Sequence, residues 1–448
     1  MTDIDALLEH ALVALSRPET RVTAGSPSQA QRAVDKTDLQ RARSPRHAVS
    51  ELVKLVRESG VRTHHRRHFG WMNAPAHPAA TVADLLVSGL NPQLAARAMS
   101  PGPVAAEARL VASIAERLGF GSEMSGHFTS GGSEANATAL VCALTAKVPG
   151  FTERGLAGGP RLRVYASTEA HDSLEKAVRA HGLGNEGLVR VAVDDARQMD
   201  LRALASAIER DRSRGWQPVM VVSTAGTTNV GAIDPLRASG TIARREGLWH
   251  HVDAAWGGLL AFTDRAGALE GLGDADSAAF DPHKALGAPM GTGMVFVRDD
   301  ALDEAFSTRP AYGPDSQAPD PYKRSLIWSR RFVGARLWLP LLLDGWPELE
   351  RRAQRRVALG ADLRRAVEDA GFAPVGPASA LPVVCFVAPN RDDAHQTGVA
   401  RRIAQSGDAW IATTRLDAAV CLRACICSDE TDASDLDQLS ALLAKHLD

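Results

Sequence analysis

From Val104 to Val297 the sequence alternates segments of helical periodicity with short apolar runs, and no other feature restricts the fold so much. Helical spacing over 105–118 and 134–146 gives way to strand-like runs at 162–166, 188–193, 219–224, 249–252, 277–280 and 293–297, with helical segments at 201–210 and 236–246 between them. Strand and helix in alternation imply a mostly parallel sheet with helices on both faces. In such sheets ligands bind beyond the carboxyl ends of the strands, so the residues just after each run carry the functional reading.

The flanks read differently. Residues 4–15 place Ile4, Leu7, Leu8, Leu12 and Leu15 at helical spacing. The polar, proline-containing stretch 17–46 reads as a partly irregular arm suited to wrapping a partner subunit, helical spacing resumes at Ala48, and 69–78 reads as a loop. A long helical pattern over 336–370 breaks at Gly345-Trp346-Pro347 and leads to strands near 383–387 and 419–427 and helices at 394–405 and 432–446. The 448 residues thus divide into an N-terminal helical segment (1–75), a large domain (76–345) and a small α+β domain (346–448).

Lysine plus arginine (51) nearly balances aspartate plus glutamate (53), which disfavours nucleic acid or an anionic membrane as partner. The longest apolar run, 337–343, contains a proline and is too short to span a bilayer. The first residues carry Asp3, Asp5 and Glu9 rather than a basic n-region. Cys142, Cys385, Cys421, Cys425 and Cys427 form neither a disulfide framework nor paired metal clusters, so the expectation is buried thiols in a reducing cytoplasm and no metal site.

Three clusters carry chemistry. Phe128-Thr129-Ser130-Gly131-Gly132-Ser133-Glu134-Ala135-Asn136 stands immediately before a helix. Glycines let backbone N–H groups approach an anion, and the Ser133 hydroxyl and the helix N-terminus add to its attraction; the same pattern also serves as a turn with an N-cap. It matches neither the dinucleotide-binding nor the P-loop signature. In His250-His251-Val252-Asp253-Ala254-Ala255-Trp256-Gly257-Gly258 a short strand ends in an acid that can hold a protonated ring nitrogen or cap the next element. In Phe280-Asp281-Pro282-His283-Lys284 a lysine follows a strand-like run. A lysine in an apolar pocket can form a Schiff base, whereas a solvated one is an ordinary surface charge.

Together the clusters resemble the group II pyridoxal-phosphate-dependent amino acid decarboxylases, the family of aromatic amino acid, histidine and glutamate decarboxylases. The resemblance runs from about Arg67 to Asp437, and the Asp-Pro-His-Lys element, with Lys284 31 residues after Asp253, is its most specific part. It implies the fold type I architecture: an α/β fold with a mostly parallel seven-stranded sheet, helices on both faces, an N-terminal helical segment and a small C-terminal α+β domain. It implies pyridoxal 5'-phosphate as cofactor, a small-molecule amino acid substrate, and a homodimer with the active site at its interface.

Carried over by position, Lys284 would bear the cofactor and Asp253 would pair with its pyridine nitrogen. His171, in Ser167-Thr168-Glu169-Ala170-His171-Asp172-Ser173, would stack on the ring, with Thr228 and Ala255 beside the cofactor. Gly131, Gly132, Ser133, Asp281 and His283 would surround the phosphate. Tyr312, 28 residues after Lys284 in a loop beginning at Phe306, matches the tyrosine that returns a proton to Cα. Relatives that form an aldehyde typically carry phenylalanine there, so tyrosine implies simple decarboxylation. Arg423 matches an arginine that faces the substrate carboxylate, and His68-Phe69-Gly70-Trp71-Met72-Asn73 matches the substrate-pocket loop, with Trp71 and Asn73 lining it. Gly70, in place of a bulky aromatic, is expected to open that pocket. Transamination, aldehyde formation and carbon–carbon bond chemistry on the same scaffold would need the same cofactor residues.

Composition sharpens one assignment. The chain has seven lysines against forty-four arginines. Arginine cannot lose its proton or form a Schiff base. Scarcity leaves seven lysines for that role, and the motif singles out Lys284.

Overall fold

The computed structural model describes residues 4–16, 19–58, 60–308 and 320–447. The chain forms two compact units. One comprises Met72–Gly360 with Gly376–Val383; the other comprises Met1–Trp71, Ala361–Val375 and Val384–Asp448. The sequence division at 345/346 falls at the break in the long helix Ala335–Asp369, where Gly345 takes φ 70°, whereas the compact units divide at 360/361. The residues up to Trp71 fold with the C-terminal sheet rather than by themselves, because backbone bonds tie them there: Phe69 N donates to Trp410 O at 2.8 Å and Cys425 N to Phe69 O at 2.7 Å.

The first unit is built on seven strands: β1 (Met124–Thr129), β2 (Arg161–Ser167), β3 (Leu188–Val191), β4 (Trp216–Thr224), β5 (Trp249–Asp253), β6 (Ser277–Phe280) and β7 (Gly293–Arg298). Their spatial order is β1-β7-β6-β5-β4-β2-β3. Parallel pairing joins β6, β5, β4, β2 and β3 in turn, while β7 pairs antiparallel with both β6 and β1. Six strands therefore run in one direction and β7 alone is reversed, which is the mostly parallel seven-stranded sheet the resemblance implies.

Alternation within a strand sends side chains to opposite faces, and both faces are covered. Met220 and Val222 of β4 pack with Val164 of β2 and with Leu140 and Leu144 of the helix Gly132–Lys147. Val221 and Tyr165, one residue out of phase, pack with Leu204 and Ile208 of the helix Leu201–Ser213. Removing such side chains from water stabilises the fold by about 1.5–3 kcal/mol each.

Strand β1 escapes the apolar pattern because its centre is Ser125-Gly126-His127. Gly126 is needed for pairing: a Cβ there would stand 2.2 Å from the Val295 carbonyl oxygen of β7. The arm expected to be partly irregular contains a helix, Pro27–Asp35, that starts at proline after Ser26, whose hydroxyl accepts from Gln29 N at 3.3 Å. None of its residues is buried, so no apolar stripe marks it in the sequence. Among the described residues no helix is long and apolar enough to cross a membrane.

The second unit contains a four-stranded sheet of β8 (Ala373–Val375), β9 (Val383–Val387), β10 (Ala412–Leu416) and β11 (Ala419–Cys425) in the order β8-β9-β11-β10. Its helices Asp393–Ser406 and Ala433–Ala444 match the sequence expectation. The expectation that Gly70 opens a pocket does not hold. Trp410 lies against it, stacked on His68 with ring centroids 5.0 Å apart, and a Cβ on Gly70 would fall 1.8 Å from Trp410 Cζ3. The glycine makes room for an indole. Gly70→Ala should therefore lower stability to denaturant by about 1–3 kcal/mol through overpacking. Combining it with Trp410→Ala should recover part of that loss, and strictly additive losses would show that the two sites do not share this space.

Candidate active site

The loops that leave the carboxyl ends of β1, β2, β4, β5 and β6 converge on a cavity of about 250 Å³. Its lining includes Gly131, Gly132 and Ser133 after β1, His171 after β2, Thr228 after β4, Asp253 and Ala255 at the end of β5, and Asp281, His283 and Lys284 after β6. Ten positions that the sequence singles out are brought together there, across about 150 residues of chain.

Gly131 is required by its backbone conformation and Gly132 by close approach. Gly131 has φ 151°, and a Cβ on Gly132 would stand 3.0 Å from Ala255 Cβ and 3.3 Å from Asp281 Oδ2. Gly132 begins the helix Gly132–Lys147, whose first-turn N–H groups have no intrahelical acceptors and make a ready anion site. Glu134 closes the turn by accepting from Ser130 N at 2.7 Å.

Asp253 is buried and its oxygens are held separately: Oδ1 accepts from Ala255 N at 3.1 Å and Oδ2 from Asn136 Nδ2 at 2.8 Å. Lys284 sits on the short helix Pro282–Ala285, with Nζ 2.9 Å from Asp281 Oδ2. Asp281 is 1% exposed, and its Oδ1 is buried without a hydrogen-bond partner. His283 Nδ1 lies 2.8 Å from Thr292 O, and burial lowers its pKa, so its ring is held toward the neutral form. In His171, Nδ1 accepts from Ser173 N at 3.1 Å, which puts the proton of the neutral ring on Nε2.

A family model described as the pyridoxal-dependent decarboxylase conserved domain matches residues 27–388. The chain belongs to this decarboxylase family. Among curated relatives, an acidic amino acid decarboxylase from Homo sapiens is 33% identical over 323 residues, covering 70% of this chain and 62% of the relative, so the chain spans less than two thirds of that protein's length. An aromatic-L-amino-acid decarboxylase from Bacillus atrophaeus is 28% identical over 389 residues, covering 84% of this chain and 80% of the relative. A crystal structure of mouse CSAD in apo form superposes with a TM-score of 0.91 at 26% identity, covering 99% of this chain and 98% of that one. The Oryza sativa TDC structure with PLP and tryptamine, at 23% identity, shares the fold with a TM-score of 0.92, covering 99% of this chain and 97% of that one.

Pyridoxal phosphate is the cofactor of the decarboxylase family, and the residues in the cavity fit it. The glycine turn is a cradle that any Cβ would crowd, the lysine stands at its edge, and Asp253 offers an ionic partner for a ring nitrogen.

Three positions expected at the substrate are not among the lining residues. Trp71 is 62% exposed and meets Trp410 edge to face, with ring centroids 5.4 Å apart. Asn73 is absent from the lining, although its neighbour Met72 is present. Arg423, on β11 in the other unit, is 3% exposed and donates to the Gly70 carbonyl at 2.5 Å. Tyr312 lies outside the described residues.

Sequence reasoning missed the supports of the site. Asn136, Ser173, His251 and Ser277 are buried and hydrogen-bonded around Asp253. Arg356, 2% exposed on the helix Ala335–Asp369, donates to the carbonyls of Lys284 and Ala285, the last turn of the helix that carries the lysine. Asn136 left one signal: it stands a turn inside a helix among small and apolar residues, where a buried amide needs partners. Gly132→Val should weaken pyridoxal phosphate binding at least about tenfold, roughly 1.4 kcal/mol, in equilibrium dialysis. Wild-type affinity in that variant would place the phosphate elsewhere.

Proposed function

We propose that this chain removes the α-carboxylate of an L-amino acid as carbon dioxide and releases the corresponding amine. The observation that carries the reading is the convergence of Lys284, Asp253, His171 and the Gly131-Gly132-Ser133 turn on one cavity in a chain of the decarboxylase family. When bound, pyridoxal phosphate supplies the sink for the electron pair left at Cα.

The chain's own residues do the rest. Lys284 would hold the cofactor through its Nζ. Asp253 would keep a proton on a ring nitrogen bound beside it, because a fixed neighbouring carboxylate favours the cationic form. The glycine turn and the Ser133 hydroxyl hold the phosphate, and His171 covers the ring. By resemblance, Arg423 binds the substrate carboxylate and Tyr312 returns the proton to Cα, where tyrosine favours amine over aldehyde. The protein's contribution would be orientation: its fixed groups would hold the substrate so that the bond to the carboxylate is the one that is weakened.

The relatives are named for acidic, aromatic and 2,4-diaminobutyrate substrates, so their shared element is the chemistry at Cα and not a side chain. The reading includes a homodimer with the site at its interface, which the solvent-exposed N-terminal helices support: Leu12, Leu15, Leu52 and Val56 are each more than 60% exposed. It also includes a cytoplasmic setting, supported by five buried cysteines that all remain free thiols.

Lys284→Ala should abolish carbon dioxide release from the set of twenty amino acids and common derivatives, together with the visible absorbance of the cofactor-loaded protein; retained turnover would sink the assignment. Tyr312→Phe should shift the product from amine toward aldehyde, read by chromatography, and an unchanged amine yield would remove Tyr312 from the proton transfer.

A further inference from the structure

Behind Asp253 runs a chain of buried hydrogen bonds that ends at an indole. Asn136 Nδ2 donates to Asp253 Oδ2 at 2.8 Å and to Ser173 Oγ at 3.0 Å, while Asn136 Oδ1 faces His251 Nε2 at 2.9 Å. His251 Nδ1 faces Ser277 Oγ at 2.8 Å, and that oxygen accepts from Trp249 Nε1 at 2.8 Å. Trp249, His251 and Asp253 alternate along β5, so all three side chains leave the same face, Ser277 opens β6 beside them, and Asn136 comes from the helix above.

The direction of every proton follows from donor and acceptor chemistry. A carboxylate only accepts, so Asn136 turns its NH2 toward Asp253 and its Oδ1 toward His251. That oxygen only accepts, so His251 carries its proton on Nε2. Burial brings the His251 pKa down to about 4, with Asp253 and His250 the neighbouring titratable groups, so the ring is neutral at pH 7 and Nδ1 is an acceptor. The Ser277 hydroxyl then donates to Nδ1, and its oxygen receives the N–H of Trp249, a side chain that can only donate.

We propose that Asn136 is a positioning residue that sets two cofactor-facing groups at once: Asp253 directly, and His171 through Ser173. The Trp249–Ser277–His251 chain holds its amide in the one orientation that presents N–H to both. The link to His171 is short, since Ser173 accepts from Asn136 through Oγ and donates to His171 Nδ1 through its backbone N at 3.1 Å. With Ala255 N on Oδ1 and Asn136 on Oδ2, the Asp253 carboxylate cannot rotate without losing a donor. A flipped amide would turn an acceptor on the carboxylate and an absent one would remove a donor; either frees Asp253 to turn and weakens its hold on a protonated ring nitrogen. This inference rests on the pyridoxal phosphate reading of the site.

The test is ¹⁵N NMR on the intact protein. In histidine-labelled, cofactor-free wild type, with His251 assigned by its loss in His251→Gln, the neutral Nε2–H tautomer should hold from pH 5 to 8; the Nδ1–H tautomer would overturn the chain whatever the cofactor does. With pyridoxal phosphate labelled at the ring nitrogen, Asn136→Leu should release the ring proton at a pH at least one unit below wild type, a tenfold change. Ser277→Ala, three hydrogen bonds removed from Asp253, should shift it in the same direction by less. A lower melting temperature with the nitrogen titrating as in wild type would make Asn136 merely structural and overturn the proposal. Wild type that takes up no cofactor at Lys284 would overturn the functional reading and the positioning role with it, while the tautomer would still report on the hydrogen-bond chain alone.

Discussion

The common direction of six strands is the constraint on which the rest of the cavity-bearing unit depends. Parallel strands must be linked by crossovers, and the crossovers are helices that seal both faces. Each of these six strands then delivers its following loop to the same edge. Residues as far apart in sequence as Gly131 and Lys284 need no long excursions to meet, because each stands within a few residues of a strand end. The reversed β7 serves this arrangement. It fills the gap between β1 and β6, and a Cβ on its Gly293 would come 2.4 Å from Gly131 Cα, so the strand presses directly on the turn before the helix.

Burying charge at that edge is costly unless each charge has partners. The site meets the cost with fixed donors. Asp253 has a backbone and a side-chain N–H, one on each oxygen; Asp281 has the ammonium of Lys284 on one oxygen and keeps the other unpartnered. His283 and His251 remain neutral through burial, so neither adds a further charge. A cavity whose Asp253 carboxylate is already oriented needs little rearrangement to receive a cationic ring, which is the condition for electrostatic preorganisation.

What could be read in the sequence divides along the same physical line. Strands made of continuous apolar residues, such as 277–280 and 293–297, were legible because burial on both faces writes itself into composition. β1, with Ser-Gly-His at its centre, and β10, with Ala-Thr-Thr-Arg-Leu, were not, since their pairing depends on neighbours far along the chain. The cofactor residues were legible because they cluster beside strand ends in short runs. Their supports were not, because Asn136, Ser277 and Arg356 gain meaning only from partners 115 and 26 residues away across the sheet, or 71 residues away in the case of Arg356. Gly70 misled for the same reason: nothing in the run around it announces that Trp410 will occupy its space.

The ratio of arginine to lysine acquires a structural sense from these contacts. Arg336 donates through Nη1 to the carbonyls of Met290 and Gly291 and to Thr292 Oγ1, while Asp84 accepts from its Nε and Nη2. Arg356 spans the carbonyls of Lys284 and Ala285, and Arg423 reaches the Gly70 carbonyl. Each is buried, and each ties a loop or helix end that has carbonyls to satisfy. The guanidinium suits this because it offers several donors in a rigid plane and keeps its charge when buried. A lysine ammonium, compact and able to lose its proton, would be a poorer clamp in these places and is the better nucleophile in one. The chain therefore uses arginine for architecture within each unit and keeps, at position 284, the cation whose proton can leave.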